Sequence, residues 1–74
     1  MREIRIEIAD AYILQDYTAD VDSIARTALG TACAGVSIEG DCVRIHVADD
    51  VRDDNPAAEA AVEEINQFYH ELKG

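Results

Sequence analysis

The chain has 74 residues, and its 16 Asp and Glu against 6 Lys and Arg give a formal net charge of −10 at pH 7. This length allows one domain with a small core, and the sequence has no apolar run of the about 18 residues that a membrane-spanning helix needs. So negative a chain is not expected to bind nucleic acid directly, because its carboxylates repel phosphates.

The first nineteen residues predict a strand followed by an irregular connection. Residues 3–8 read Glu-Ile-Arg-Ile-Glu-Ile, and isoleucine at every second position is typical of a strand that buries one face. Residues 9–19 have no clear period, and a loop, a short strand or an early helical turn would each fit. We expect an irregular connection with Tyr12 or Leu14 in the core.

A first helix is predicted to start at an N-cap, Thr18 or Asp20, and to end at a C-terminal cap, Gly35. Asp20 and Asp22 suit the positive end of its dipole. Gly30 would interrupt the helix at a cost of about 1 kcal/mol relative to alanine. The apolar stripe, at a spacing of three to four residues, comprises Val21, Ile24, Ala25, Ala28, Leu29, Ala32 and Cys33.

Residues 36–48 predict a β-hairpin around Gly40-Asp41, since a two-residue turn with glycine first suits such a connection. This turn sets Ile38 opposite Val43, so that apolar pairs share one face and polar pairs the other. The polar sheet face would comprise Glu3, Arg5, Glu7, Ser37, Glu39, Cys42, Arg44 and His46. Without aromatic side chains or net positive charge, this face does not suit single-stranded RNA.

A second helix is predicted after a polar turn over residues 48–55, with Asn55 as N-cap and Pro56 as first helical residue. Its apolar stripe comprises Ala58, Ala61, Val62, Ile65, Phe68, Tyr69 and Leu72. The predicted fold is α+β, in the order β-α-β-β-α, with two helices packed on one face of a three-stranded sheet. A right-handed crossover would make the first two strands parallel. This order resembles a ferredoxin-like unit that lacks its last strand, an architecture with many unrelated functions.

The sequence contains no pattern that indicates catalysis, a metal or a cofactor. The acidic run 49–55 lacks the spacing of a calcium loop, with Val51 at the third position and no glycine at the sixth. Cys42 and His46 would stand roughly 13 Å apart on a strand, too far to share a metal or a hydrogen bond. We expect two free thiols, with Cys33 in the core and Cys42 partly exposed on the polar sheet face.

The acidic residues are predicted to gather at the two ends of the sheet. One end holds Asp10, Asp16, Asp20, Asp22, Glu39 and Asp41, and the other holds Asp49, Asp50, Asp53, Asp54 and Glu59. A folded anionic surface can occupy a groove in which Arg and Lys are spaced for phosphates. The candidate partner-binding residues are Asp49, Asp50, Asp53, Asp54, Glu59, Asp16, Asp20 and Asp22.

In size, acidity and absence of a catalytic motif, the chain resembles the small phage-encoded anti-CRISPR proteins and other DNA mimics. This resemblance implies a non-enzymatic inhibitor that binds a basic protein or nucleoprotein complex in the host cytoplasm, without a cofactor.

Two other functions fit the same sequence. The chain has one lysine, Lys73, and five arginines, which favours an interaction or subunit domain of a salt-adapted organism. The third possibility is a small-molecule regulatory domain, expected to be a homodimer because a monomer of this size leaves little room for a pocket. Without a signal-peptide core near its start, the chain is expected to be soluble and cytoplasmic in each case.

Overall fold

The computed structural model describes residues 2–52 and 54–74, and it confirms the predicted α+β class and β-α-β-β-α order. The elements are β1 (Arg2–Glu7), a 3-10 helix (Ala11–Tyr17), α1 (Thr18–Leu29), a 3-10 turn (Gly30–Ala32), β2 (Cys33–Ile38), β3 (Cys42–Val47) and α2 (Pro56–Lys73). Within the described part of the chain, no helix is both long enough and apolar enough to cross a membrane.

The sheet has the strand order β1-β3-β2, and both pairings are antiparallel. The strands β1 and β2 therefore run parallel to each other on either side of β3, as the crossover between them requires. Ile38 lies opposite Val43 and Ser37 opposite Arg44, which confirms the predicted hairpin register. The turn is closed by a hydrogen bond of 2.8 Å that the Glu39 N–H donates to the Cys42 carbonyl.

The core lies between the apolar sheet face and the two helices. Its largest fully buried side chains include Leu14, Val21, Ile45 and Ile65, contributed by the 3-10 helix, α1, β3 and α2. Among the described residues no charged side chain is buried, so their charges lie on the surface. Because the core is apolar, the carboxylates of these residues are available for contacts outside the domain.

The expectation of an irregular connection over residues 9–19 is wrong, because a 3-10 helix spans Ala11–Tyr17 and α1 follows directly. A 3-10 helix has three residues per turn, so Ala11 and Leu14 share one side, and both are fully buried. Leu14 is thus the core residue of this segment, while Tyr12 is 60% exposed. Tyr17 packs edge-on against Phe68 of α2 with ring centroids 5.9 Å apart.

The predicted end of the first helix at Gly35 is also wrong. The helix α1 stops at Leu29, and Gly30 caps it with φ +63°, donating its N–H to the Arg26 carbonyl. Gly30 therefore ends the helix, because a positive φ cannot continue it. Cys33 is buried as expected, but it is the first residue of β2.

Gly30→Ala is expected to lower the free energy of unfolding by about 1–3 kcal/mol, because alanine is strained in this backbone conformation. Crowding would add nothing, since no atom lies within 4 Å of the added Cβ. Gly40 has equally open surroundings and no positive φ, so Gly40→Ala is the matched control. Its expected change is under about 0.5 kcal/mol in urea unfolding. Equal losses in the two variants would contradict this role of Gly30.

The second helix starts as predicted. The side-chain oxygen of Asn55 accepts a hydrogen bond of 2.8 Å from the Ala57 N–H, and Pro56 follows as the first helical residue. The predicted apolar stripe packs inward, and its buried members are Ala58, Ala61, Ile65 and Tyr69. The acidic residues of α2 consequently face solvent.

Candidate functional site

The polar sheet face pairs most of its own charges. Arg44 lies near its centre, with Nη1 3.6 Å from Glu3 Oε2 and Nε 3.0 Å from Glu39 Oε1. Among the described residues, Arg44 Nε has no hydrogen-bond partner, so its contact with Glu39 is an ion pair without the geometry of a hydrogen bond. The Cys42 thiol and then the carboxylates of Glu39 and Glu3 raise the pKa of Arg44. One guanidinium is thus shared by two carboxylates, and the three side chains together keep one negative charge.

A serine, a histidine and a carboxylate also meet on this face. Ser37 Oγ lies 2.8 Å from His46 Nε2 in a hydrogen bond, and His46 Nδ1 lies 3.9 Å from Glu3 Oε2. Serine, histidine and a carboxylate in this sequence correspond to the nucleophile, base and acid of a catalytic triad. The distance from His46 to Glu3 is, however, too long for a hydrogen bond, and Glu3 also contacts Arg44. The hydrogen bond between Ser37 and His46 links β2 to β3.

The expectation that Cys42 is partly exposed is wrong, because its relative exposure is 0%. Its strand β3 is central, so long side chains flank this small residue on both sides, with Glu7 as its partner on β1. The ligating atoms of Glu39, Asp41 and Cys42 lie within 4.8 Å of one another. Arg44 beside Glu39 already supplies positive charge at this cluster.

Asp10 is held in a second cluster, at the end of the domain where α2 finishes. The Tyr69 hydroxyl donates a hydrogen bond to Asp10, and Lys73 Nζ lies 3.3 Å from Asp10 Oδ2. The hydrogen bond from Tyr69 and the nearby Lys73 lower the pKa of Asp10, although partial burial opposes them. The same hydrogen bond raises the pKa of Tyr69. Asp10 therefore joins the end of α2 to the start of the 3-10 helix.

Asp10→Asn is expected to destabilise the protein near pH 7 and to flatten its response to acid. Because the folded-state pKa of Asp10 is lowered, the stabilisation is present above the ordinary value of 3.8 and is lost as pH falls through the folded value. Thermal unfolding from about pH 7 to about pH 2 measures this loss. Asp50→Asn is the control, because Asp50 is exposed and forms no ion pair with any described residue. Parallel curves for the wild type and Asp10→Asn would contradict the role of Asp10.

The candidate partner-binding residues that the structure describes divide between the two ends of the domain. The hairpin end, as we call it, contains the 3-10 helix, the start of α1 and the β2–β3 turn, and the opposite end contains residues 48–52 and 54–59 with Arg2. Asp16 and Asp20 are exposed at the hairpin end and form no ion pair with a described residue, whereas Asp22 binds Arg26 at 2.7 Å.

At the opposite end the carboxylates alternate with arginines. Asp49, Asp50 and Asp54 line a cleft together with Arg2 and Arg52. Glu59 lies apart from this cleft in the first turn of α2, and Asp53 falls outside the described residues. The charge of this end is thus partly balanced.

Most carboxylates in the described part of the chain form no ion pair. Within residues 2–52 and 54–74, the acidic side chains without an ion pair are Asp16, Asp20, Asp41, Asp50, Asp54, Glu59, Glu63, Glu64 and Glu71. They lie at the two ends and along the solvent side of α2.

A groove of about 790 Å³, which sequence reasoning missed, runs between β1 and α2. Its floor includes Ile4, Ala58 and Val62, and its rims carry Glu59 and Glu63. The groove follows an edge of the sheet, because β1 pairs only with β3 in the described sheet. Strand order would have revealed this edge, but the sequence predicted the strands without their order.

Comparison with protein-family models finds no match, and comparisons with curated proteins and with solved structures find no significant similarity. What this protein binds is therefore inferred from its own surfaces.

Proposed function

We propose that the protein is a non-enzymatic binding module that uses its carboxylate surface to occupy a basic, nucleic-acid-binding groove of a partner. It would then act as an inhibitor of the DNA-mimic, anti-CRISPR-like type. Carboxylates held on a folded surface present negative charge without an ordering cost, and basic residues arranged for phosphates accept them.

The observation that carries this proposal is that basic side chains form ion pairs with carboxylates of the same domain. Arg26 binds Asp22 and two backbone carbonyls, and Lys73 binds Asp10. Arg44 lies between two glutamates in the same way. Since these cations are held within the domain, the excess negative charge faces outward, where it attracts a basic partner over a long range and raises the association rate.

The hairpin end is the stronger candidate for the contact. Asp16, Asp20 and Asp41 are exposed there, and none of them forms an ion pair within the part of the chain that the structure describes. At the opposite end, the cleft with Arg2 and Arg52 would repel a basic partner in part. The residues of that end then contribute through total charge more than through direct contact.

Competition with nucleic acid tests the proposal. The immobilised protein is expected to capture a basic protein or nucleoprotein at about 50 mM salt and to release it as salt rises toward about 1 M, because screening weakens exposed charge contacts. A duplex oligonucleotide is expected to displace the captured partner, and the free protein to displace that partner from nucleic acid. A partner that binds the protein and nucleic acid together, or no partner under any of these conditions, would contradict the proposal.

The salt-adapted domain remains the second candidate, because the unpaired carboxylates described above also suit a surface that holds water and salt. The two candidates predict opposite effects of salt on the stability of the fold. Unfolding in dilute buffer with recovery in concentrated salt favours it, whereas a fold that is stable at low ionic strength favours the inhibitor.

A further inference from the structure

The two edge strands of the sheet differ in whether side chains occupy their outward backbone groups. At the β2 edge, Gln15 Nε2 donates a hydrogen bond of 3.4 Å to the Ile38 carbonyl. Arg26 donates bonds of 3.3 and 3.2 Å to the carbonyls of Cys33 and Ala34. These side chains use acceptors that an added strand would need, so the β2 edge is blocked.

The β1 edge keeps its backbone groups open. The Ile8 N–H donates a hydrogen bond of 3.2 Å to the Asp41 carbonyl on the β3 side. Hydrogen-bonded pairs recur at every second residue of an antiparallel ladder, so Glu3, Arg5 and Glu7 direct their N–H and C=O groups away from β3. Among the described residues no side chain forms a hydrogen bond with these groups.

An extended segment laid along this edge would have a defined place for each side chain. Successive side chains of a strand point to opposite faces of a sheet. One set would enter the groove beside α2 and contact Ile4 and Val62, both partly exposed. The other set would lie on the polar sheet face beside Glu3 and Glu7.

We propose that the β1 edge and the adjoining groove bind an extended segment of a partner protein as a fourth strand, with apolar and basic side chains in alternation. The groove rims carry Glu59 and Glu63, and Arg5 on the sheet face is already bound to Glu7 at 3.1 Å. This charge favours basic side chains on the incoming strand. A second copy of the chain is disfavoured, because it would bring a net charge of −10 against −10.

The proposal shares with the proposed function the basic character of the partner, but it uses a different surface. Main-chain hydrogen bonds supply affinity in strand addition, and pockets for alternate side chains supply specificity. The strand contact therefore depends on the open edge and not on the carboxylates of the hairpin end.

A labelled eight-residue peptide of alternating valine and lysine is the probe. Fluorescence anisotropy is expected to detect binding, and a peptide of the same composition with its valines and lysines in separate blocks is expected to bind at least tenfold more weakly. Hydrogen exchange of the Glu3, Arg5 and Glu7 amides should slow at least tenfold at saturation. An alternating valine–glutamate peptide is expected not to bind.

Arg5→Pro and Arg5→Ala form the matched pair. Both remove the same side chain, but only proline removes the outward N–H, and it breaks no bond to β3. We expect Arg5→Pro to weaken binding of the alternating peptide at least tenfold and Arg5→Ala less than threefold, with circular dichroism confirming that both fold. If Arg5→Pro does not fold, Val62→Gln in the groove floor is expected to weaken binding at least fivefold, with Val62→Leu as its control.

Equal binding of the two lysine peptides, or equal losses in Arg5→Pro and Arg5→Ala, would show attraction by charge alone and overturn the proposal. A dimer in sedimentation that protects the same amides without peptide would also overturn it, in favour of a second copy. Failure of the proposed function is separate, because it is read from competition with nucleic acid and leaves the Arg5 comparison unchanged.

Discussion

Leu14→Ala is expected to lower the free energy of unfolding by about 2–5 kcal/mol, through lost burial and the cavity left behind. Domains of this kind have a total stability of only about 5–15 kcal/mol, and a chain this small falls toward the lower end. Leu14 is fully buried and lies in the middle of the 3-10 helix between β1 and α1. Its loss therefore loosens the segment that positions Asp16.

Tyr12→Ala is the matched control in the same helix. Tyr12 is 60% exposed, so its truncation is expected to change stability by under about 0.5 kcal/mol. Urea unfolding followed by circular dichroism measures both variants. A similar small loss in each would mean that the 3-10 helix is not packed on the core through Leu14.

The hairpin and the start of α2 were predictable because independent local signals agree there. The turn Gly40-Asp41 and the apolar pairs around it specify one register, since a shift by one residue would expose the apolar side chains. Asn55 and Pro56 are adjacent in sequence and adjacent in the cap, so no long-range contact is needed to place them.

The segment before α1 and the end of α1 lack such agreement. Ala11 and Leu14 are the only buried residues of a short 3-10 helix, too few to establish a period. Gly30 is equally consistent with an interruption and with a cap, and only its φ of +63° decides between them. Cys33 continues the helical spacing by coincidence, because the first buried residue of β2 falls in phase with the stripe of α1.

The candidate site was predictable in its composition but not in its pairing. The sequence counts the carboxylates, yet the pairs Glu3–Arg44 and Asp10–Lys73 join distant parts of the chain. The β1 edge was hidden for the same reason, since strand order is a long-range property. The fold thus separates the carboxylates into two groups, those that form ion pairs within the domain and those that remain open to a partner.

This division predicts that charge reversal has unequal effects at the two ends. The double variant Asp16→Lys with Asp20→Lys changes unpaired carboxylates at the hairpin end, and Asp50→Lys with Asp54→Lys makes the same change of net charge beside Arg52. At about 50 mM salt, where exposed charges are weakly screened, we expect the first variant to bind the captured partner at least about tenfold more weakly, equivalent to about 1.4 kcal/mol. The second is expected to lose less than about threefold, because its end is already partly balanced.

Titration of both variants against the partner, repeated at about 0.5 M salt, measures the difference and its screening. Equal losses in the two variants would mean that only total charge matters, and a larger loss in the second would move the contact to the end with Arg2 and Arg52. Thermal unfolding of both variants provides the check on folding, since each replaces exposed residues outside the core. A larger loss in the Asp16→Lys, Asp20→Lys variant, measured with both variants folded and shrinking as salt rises, assigns the contact to Asp16 and Asp20 through charge.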